Sequence, residues 1–456
     1  MVFSSILFIF FFLPSFLICY FLVPKKLKNT VLLLFSLLFY AWGEPVYIIL
    51  MIISALINYL FAILINKSSK KIYLVICILI NIILLGVYKY SGFFIDNINA
   101  IFNLDINNPD LSLPIGISFF TFQAMSYTID VYRKEVMVQY NYFDLLTYIC
   151  MFPQLIAGPI VRYETIAEEL KTRKVNFYGF CSGFERFLVG LFKKVLIANS
   201  IGLLFDTIID MPNISLSTLT AWLGILSYSI QIYFDFSGYS DMAIGLGKML
   251  GFNYLENFNY PYIARSITDF WRRWHISLST WFRDYVYIPL GGNRCSKIKN
   301  IRNILIVWLL TGFWHGANWN FIIWGLYYAL ILLIEKFVIK KYLDKLPRLL
   351  QHIYSLFLIF IGWTIFAIED FSKLIDYIKI MFSIGSYKFI DSNFLYYGKN
   401  YLILFIIAII GCIPIKINSK NKIFMFIKFL IYIILFIITI SFIVSDNYNP
   451  FLYFRF

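Results

Sequence analysis

Long apolar runs recur along the whole chain and constrain its fold more than any other feature. Residues 2–23 and 423–444 are almost entirely apolar, and further apolar runs end near Ile65 and Tyr90. A helix needs roughly 20 apolar residues to cross the roughly 30 Å hydrocarbon layer of a bilayer. Since 61% of all residues are hydrophobic and only 14% are charged, a soluble core could not bury them. The sequence therefore predicts an all-α polytopic membrane protein.

Lysine clusters predict how the chain is oriented in the membrane. They lie at residues 25–28, 67–71 and 416–422, and basic loops are retained on the cytoplasmic side. One assignment places all three clusters inside and leaves both termini outside. It needs an even number of full crossings, roughly ten, with other segments re-entrant or interfacial. Residues 2–23 lack a basic leader and a cleavage site, so we interpret them as a retained helix of a single domain, residues 1–456.

Bulk charge and cysteine spacing argue against two classes of function. The net charge of +14 fits basic cytoplasmic loops beside anionic lipid, and no separate aromatic and basic platform for nucleic acid is present. The six cysteines are widely spaced and include no Cys-x-x-Cys pair, which argues against a disulfide framework or a zinc site. We expect neither a nucleic-acid partner nor a bound metal.

Polar chemistry is concentrated between residues 269 and 285. An apolar stripe at steps of three and four residues predicts one continuous helix there, with His275 at its border, and its members are Trp271, Trp274, Leu278, Trp281 and Tyr285. Arg272, Arg273 and Arg283 cannot all face lipid, because a charge at the bilayer centre costs about 2.5–3.5 kcal/mol or more. We therefore expect this helix at an interface or along a wet cavity.

A second polar interruption falls inside the apolar run of residues 303–334. One straight helix of that length, at about 1.5 Å per residue, would exceed the thickness of the hydrocarbon layer. The predicted break lies between Thr311 and Gly316, because glycine gives the backbone the freedom to turn. A broken helix at membrane depth is tolerated where it is buried in protein or lines water. His315 is therefore expected to face a cavity.

Each of these sequence features also has a purely structural interpretation. A histidine among tryptophans is often only a core or interfacial residue, although two such histidines together favour a functional site. Asp235 and Asp241 flank a Ser-Gly pair, and we interpret them as buried, satisfied carboxylates. His352 belongs to no motif and is expected to be interfacial.

Several phrases along the chain resemble the membrane-bound O-acyltransferase family. They are residues 1–5 (MVFSS), 39–45 (FYAWGEP), 113–119 (LPIGISF), 153–159 (PQLIAGP), 234–241 (FDFSGYSD), 271–292 and 314–316 (WHG). The similarity is to the bacterial branch that O-acetylates alginate or peptidoglycan. It implies a fold of helices around a central tunnel in the cytoplasmic membrane. It also implies an enzyme that takes acetyl groups from cytoplasmic acetyl-CoA, with no permanently bound cofactor, to O-acetylate an envelope polysaccharide.

The resemblance also suggests roles for individual residues. His315 matches the catalytic histidine of the family, and an imidazole with a pKa of about 6.5 in water can accept a hydroxyl proton and return it to a thiol. His275 matches the second histidine of the site, with an orienting or pathway role. Tyr453 lies in an aromatic tail similar to the terminal acyl-accepting motif, so we expect it to carry the acetyl group transiently. An aromatic anchor at the outer interface is the alternative for this tail.

The donor and the partners follow from the same resemblance. Arg272, Arg273 and Arg283 are candidate ligands for the phosphates of acetyl-CoA, since arginine binds phosphate bidentately. Anchoring to anionic lipid head groups is the alternative for each of them. An extracytoplasmic SGNH-type esterase-like partner is expected to pass the acetyl group on to the polysaccharide. Peptidoglycan and an exopolysaccharide both remain open as the acceptor.

Two other functions remain open from the sequence. D-alanyl transfer from a carrier protein, for teichoic acid, would use the same architecture. A transporter or flippase for a polysaccharide should show inverted halves with interrupted helices in corresponding positions. The sequence has one clustered site and no corresponding second one, which favours the enzyme.

Overall fold

The computed structural model describes residues 1–109, 111–156, 158–415 and 421–445, and every regular element within these ranges is a helix. The first half of the chain contains α1 (Phe8–Leu22), α2 (Lys28–Gly43), α3 (Ile48–Ser68), α4 (Lys71–Phe102), α5 (Ile117–Arg133), α6 (Tyr142–Cys150), α7 (Phe152–Leu155), α8 (Tyr163–Thr172) and α9 (Phe177–Ile209). The second half contains α10 (Thr218–Met249), α11 (Ile267–Arg273), α12 (Ile276–Phe282), α13 (Lys297–His315), α14 (Trp319–Leu343), α15 (Arg348–Ala367), α16 (Phe371–Met381), α17 (Ser392–Gly411) and α18 (Lys422–Ser445).

Seven of the described helices are long and apolar enough to cross a membrane. They are α3, α4, α9, α14, α15, α17 and α18, and α1 is a shorter apolar helix. The predicted class, an all-α polytopic membrane protein, is confirmed. The number of roughly ten crossings and the placement of both termini outside stay predictions.

The helices form two compact units. The first unit comprises residues 1–191 and 239–255, and the second comprises residues 192–238 and 256–456. The divisions fall within α9 and α10, so each of these helices belongs partly to each unit.

A polar cluster joins α3, α4 and α5 inside the first unit. Asn58 and Asn81 exchange side-chain amide hydrogen bonds of 3.0 and 3.3 Å, and Thr128 donates its hydroxyl to Asn58 Oδ1 at 2.9 Å. The thiol of Cys77 donates to the same oxygen at 3.4 Å. All four side chains are buried. Because these bonds run between side chains of different helices inside an apolar region, they help to fix how the three helices pack.

The acidic residues of the 234–241 motif form ion pairs, one in each unit. Asp241 lies 2.8 Å from Arg186 in the first unit. Asp235 lies 2.5 Å from Lys194 in the second unit, where both side chains are almost fully buried. These contacts agree with the structural interpretation of both carboxylates.

In the second unit, α13 and α14 form a tight hairpin. Their backbones approach closely, because a Cβ atom added at Gly312 would collide with the carbonyl oxygen of Phe321, and one added at Gly325 would collide with that of Trp308. Only glycine fits at both positions. The chain breaks between the two helices at Gly316, whose backbone is extended. The predicted break of the apolar run is therefore confirmed, and it lies directly after His315.

The single helix predicted over residues 269–285 is wrong in its middle. The structure has two short helices, α11 and α12, and His275 between them adopts a left-handed conformation with φ +43° and ψ +57°. The backbone carbonyl of Arg273 accepts from Asn259 N–H at 2.9 Å, and Ile276 N–H donates to the Asn257 carbonyl at 2.9 Å. These two bonds to an adjacent segment replace the helical bonds lost at the break.

Candidate functional site

One cavity in the second unit contains both predicted histidines. Its volume is about 550 Å³, and its walls come from α11, α12, α13, α14 and the connections between them. Its lining includes the ionisable residues His275, His315, Arg272, Arg283, Glu335 and Lys336. The break at His275 and the break after His315 both border this space, so the two irregular backbone segments lie where a cavity can accommodate them.

Asn257 fixes the position of His275. Its Oδ1 atom lies 3.1 Å from Nδ1 of His275 and accepts the backbone N–H and the hydroxyl of Ser277 at 3.2 and 2.9 Å. The ring of Phe236 packs edge-on against the imidazole, with 4.7 Å between the ring centroids. A left-handed non-glycine residue costs about 1–3 kcal/mol, and these contacts offset that cost. His275 is therefore held in one orientation at the cavity wall.

The same contacts decide which nitrogen of His275 carries the proton. The backbone N–H of Ser277 can only donate, so the Asn257 atom that faces it is the carbonyl oxygen. Nδ1 of His275 must then donate to that oxygen, which leaves the lone pair on Nε2. Burial lowers the pKa of His275 to about 3, because desolvation disfavours the charged ring. His275 is therefore a neutral imidazole at physiological pH.

His315 ends α13 inside a cluster of aromatic rings. Its ring centroid lies 5.0 Å from that of Trp324 and 5.2 Å from that of Phe366, both edge-to-face. Trp314 contacts His315 at 5.1 Å and His275 at 6.0 Å, so one indole touches both imidazoles. His315 is only 4% exposed. Because His315 lines the cavity, its imidazole lies within reach of a group bound there, which is the first requirement for general acid–base catalysis.

An aromatic wall closes the cavity between α11, α13 and α14. Trp271 lies against Trp308 at 4.8 Å and against Tyr328 at 4.9 Å between ring centroids. Trp324 contacts Tyr328 at 5.2 Å, and it also packs on His315. The phenol of Tyr328 fits against Gly362 of α15, where a Cβ atom would collide with it. Packing of these rings fixes the shape of the cavity wall beside His315.

The three predicted arginines lie in different surroundings. Arg272 is exposed and lines the cavity. Arg283 also lines it, and it donates two hydrogen bonds of 2.6 and 3.0 Å to the carboxylate of Asp284, which raises its pKa. Arg273 is absent from the cavity lining; it pairs with Asp269 at 2.9 Å and donates to the carbonyl of Asn259 at 3.2 Å. The structure therefore places two of the three arginines at the cavity and ties the third into the fold.

Lys336 and Lys340 of α14 add two further cations to the cavity lining. The ammonium group of Lys336 donates to Asn293 and Asn300 at 2.6 and 2.7 Å, and Asn300 in turn donates to the hydroxyl of Tyr287 at 2.8 Å. Sequence reasoning missed Lys336, together with its neighbour Glu335 and with Asn257. The signal for Glu335 and Lys336 was present, since charged residues inside an apolar membrane helix mark functional positions.

The remaining sequence predictions concern residues away from this cavity. His352 is not part of the cavity lining, and its Nδ1 lies 3.1 Å from the carbonyl oxygen of Ala264. Tyr453 lies outside the described residues, so its predicted carrier role stays a prediction.

Comparison with known proteins gives one consistent result. A model of the membrane-bound O-acyltransferase family matches residues 10–369. The chain is 42% identical to the probable alginate O-acetylase of Azotobacter vinelandii, over 86% of this chain and 80% of that protein. It is 36% identical to the peptidoglycan O-acetyltransferase of Helicobacter pylori, over 84% of this chain and 80% of that protein.

A more limited similarity extends to another enzyme. The chain is 34% identical to the teichoic acid D-alanyltransferase of Bacillus subtilis, but the match covers only 50% of this chain and 60% of that protein. The two matches to proteins named for O-acetylation are therefore both longer and higher in identity.

Proposed function

The chain belongs to the membrane-bound O-acyltransferase family, and from this premise we propose that it transfers an acetyl group from acetyl-CoA for O-acetylation of a cell-envelope polysaccharide. Membership makes it a multi-pass membrane acyltransferase. The acetyl donor, the polysaccharide acceptor and the residues that act are parts of the proposal. Its site lies in the bacterial cytoplasmic membrane, with donor and acceptor on opposite sides.

One observation carries the proposal: a single cavity contains two histidines and four cations. Arg272, Arg283, Lys336 and Lys340 line it together with His275 and His315. Three carboxylates also line it, but Asp269 pairs with Arg273 and Glu335 accepts backbone N–H groups. The cations are suited to the phosphates of coenzyme A, since guanidinium and ammonium groups bind phosphate strongly.

His315 is the proposed general base. A hydroxyl oxygen attacks the carbonyl carbon of the thioester while His315 accepts the hydroxyl proton. The carbon–sulfur bond then breaks, and the proton passes from the imidazolium to the leaving thiolate. His275 is a neutral residue whose orientation is fixed by Asn257, which suits a role in orienting the reactants. General acid–base assistance of this kind is typically worth 10²–10⁴-fold.

Tyr453 is the proposed first acceptor of the acetyl group. A phenol has a pKa of about 10, close to that of a thiol and far below that of a sugar hydroxyl. A tyrosyl ester therefore keeps much of the transfer potential of the thioester, so that passing the acetyl group onward runs downhill. An SGNH-type esterase-like partner outside the membrane would accept it and esterify the polysaccharide.

Acetyl transfer is preferred over D-alanyl transfer because of the extent of similarity. The O-acetylating relatives match 84–86% of the chain, whereas the D-alanyltransferase matches half of it. The names of those relatives leave two acceptors, an alginate-like exopolysaccharide and peptidoglycan. Deleting the gene and measuring O-acetyl groups on each envelope polymer identifies the acceptor.

The purified protein in lipid nanodiscs tests the donor and the carrier together. Incubation with radiolabelled acetyl-CoA should label the protein on a tyrosine and release free coenzyme A. Tyr453→Phe keeps the ring but removes the nucleophile, so it should abolish the labelling. Labelling by carrier-bound D-alanine alone would refute the donor. Wild-type polymer acetylation by Tyr453→Phe in cells would refute the carrier.

A further inference from the structure

Glu335 is a buried carboxylate that directly follows the apolar part of α14, Trp319–Ile334. It is the sole acidic residue of α14 and is 3% exposed. The helix changes to π geometry at Glu335–Ile339, a distortion that is frequent at functional sites. Glu335 and the next residue, Lys336, both line the cavity. An ionisable residue at such a position requires a functional explanation.

Four hydrogen bonds explain how this carboxylate is accommodated. Its Oε1 atom accepts the backbone N–H of Ile267 at 2.6 Å and the hydroxyl of Tyr354 at 3.3 Å. Its Oε2 atom accepts both the backbone N–H and the hydroxyl of Thr268, at 2.8 and 2.6 Å. Ile267 and Thr268 are the first two residues of α11. Glu335 therefore satisfies N–H groups that no residue of α11 itself could satisfy.

The short helix held in this way forms much of the donor side of the cavity. Trp271 and Arg272 both belong to α11 and line the cavity, and His275 follows two residues after its end. Its other end is tied by Arg273, whose carbonyl accepts from Asn259. Hydrogen bonds to residues outside the helix thus hold both ends of α11.

We propose that Glu335 is a positioning residue for the acyl donor, because it holds the first turn of α11 and thereby places Trp271 and Arg272 along the cavity. This inference rests on the proposed function. It assigns to Glu335 an effect on donor binding rather than on the chemical step, since the carboxylate itself is fully occupied by α11 and Tyr354.

The hydrogen-bond pattern makes glutamine a poor substitute. Each carboxylate oxygen faces a backbone N–H, so either orientation of a glutamine amide would turn its own NH₂ group toward a donor. Glu335→Gln therefore breaks one anchor of α11 while keeping the shape of the side chain. Thr268→Val and Tyr354→Phe each remove one hydroxyl donor to Glu335 and leave both backbone N–H bonds in place. The three variants therefore weaken the hold on α11 to different degrees.

Steady-state kinetics with acetyl-CoA in nanodiscs test the proposal. Glu335→Gln should raise the apparent KM for acetyl-CoA by about tenfold or more, the effect of losing one charge-assisted hydrogen bond, with kcat changed less. Thr268→Val should raise it less and Tyr354→Phe least. Thr364→Val is the matched control, because Thr364 is a buried threonine outside the cavity lining whose hydroxyl donates to the carbonyl of Phe360.

Hydrogen–deuterium exchange provides a readout that does not depend on activity. The amides of Ile267 and Thr268 should exchange faster in Glu335→Gln than in the wild type, while peptides from α15 should be unchanged. An unchanged KM together with unchanged exchange would overturn the proposal, as would a loss of kcat alone. If Glu335→Gln does not accumulate, Thr268→Val decides, and an unchanged KM there also overturns it. If the wild-type protein does not react with acetyl-CoA, the proposed function is refuted. The exchange measurement would still test whether Glu335 holds the first turn of α11.

Discussion

The polar cluster of α3, α4 and α5 and the polar site around His275 and His315 use similar side chains in opposite ways. In the first cluster, Asn58, Asn81 and Thr128 bond one another, and no side chain is left to meet a substrate. In the second, Asn257 bonds Ser277 and also a histidine whose ring lines a cavity of about 550 Å³. Both clusters are buried among apolar helices.

This difference shows when a polar residue inside a membrane protein should be interpreted as functional. Such a residue is by default a candidate for function, and we expect this to hold for the histidine site but not for the asparagine cluster. What separates the two is whether the bonded group also borders a cavity. Substitutions in the first cluster should therefore change stability, and substitutions in the second should change turnover.

The largest expected effect is that of His315→Ala. It removes the proposed base, so turnover should fall by about 10²–10⁴-fold or more, while the protein inserts and accumulates normally. Acetyl transfer by the purified variant is the measurement. His352→Ala is the control, because the imidazole of His352 lies beside the carbonyl oxygen of Ala264, away from the cavity. Turnover within a few-fold of the wild type would remove His315 from the mechanism.

Asn257→Leu should have the next largest effect. It removes the oxygen that orients His275 and holds Ser277, so kcat/KM should fall by about tenfold, the value of one to two buried hydrogen bonds. Asn257→Asp keeps an acceptor at that position and should recover part of the activity. Equal activity of the two variants would show that the orientation of His275 does not matter.

Asn58→Leu should lower stability and leave activity unchanged, the reverse of the effect expected at the histidine site. It leaves Asn81 and Thr128 without their shared partner, which should lower the unfolding free energy by about 1–3 kcal/mol. The activity of each folded molecule should stay the same. Thermal unfolding in detergent, together with turnover normalised to folded protein, checks both statements. A fall in normalised turnover would mean that this cluster also serves the reaction.

Arg272→Gln and Arg273→Gln separate donor binding from structure. Arg272 lines the cavity, so its loss should raise the KM for acetyl-CoA by roughly threefold to tenfold, a typical value for one phosphate contact. Arg273 pairs with Asp269, so its loss should lower the melting temperature and leave the KM unchanged. The reverse pattern would contradict the assignment of the two arginines.

The smallest expected effect concerns pH. Burial lowers the pKa of His275 from 6.5 to about 3, so the unfolded chain binds one more proton than the folded chain between these pH values. The contribution of His275 to stability should therefore be complete above about pH 6.5 and be lost progressively as the pH falls below that value. His275→Gln should reduce the slope of melting temperature against pH, whereas Asn58→Leu should keep it. An unchanged slope in the first variant would contradict the assignment.

Much of the fold could be predicted from the sequence, because hydrophobic length and glycine position are local signals. The apolar runs predicted a polytopic membrane protein, and the glycines near His315 predicted the break between α13 and α14. The break at His275 could not be predicted in this way. The stripe of aromatic residues keeps its period across α11 and α12, and the bond that permits the left-handed backbone comes from Asn257, eighteen residues away.

The candidate site was predictable to a similar extent. The two histidines were identified by their positions in motifs, and the structure brings both to one cavity. Arg273 could not be distinguished from Arg272 by sequence, since adjacent residues on a helix point in different directions and only packing decides which one is paired. The role of Glu335 depends on Ile267 and Thr268, more than sixty residues earlier, and no local pattern reveals such a contact.

The glycine contact between α13 and α14 has a consequence for how the protein is made. α13 begins with Lys297 and Lys299 and is not among the seven described helices that are apolar enough to span a membrane, whereas α14 is. During synthesis α13 therefore gains its place in the bilayer as the partner of α14, with Gly312 against Gly325. His315 reaches its cavity only after the following helix has left the ribosome. A nascent chain that ends before α14 thus lacks one wall of the proposed active site, so we expect acyl transfer only when the hairpin is complete.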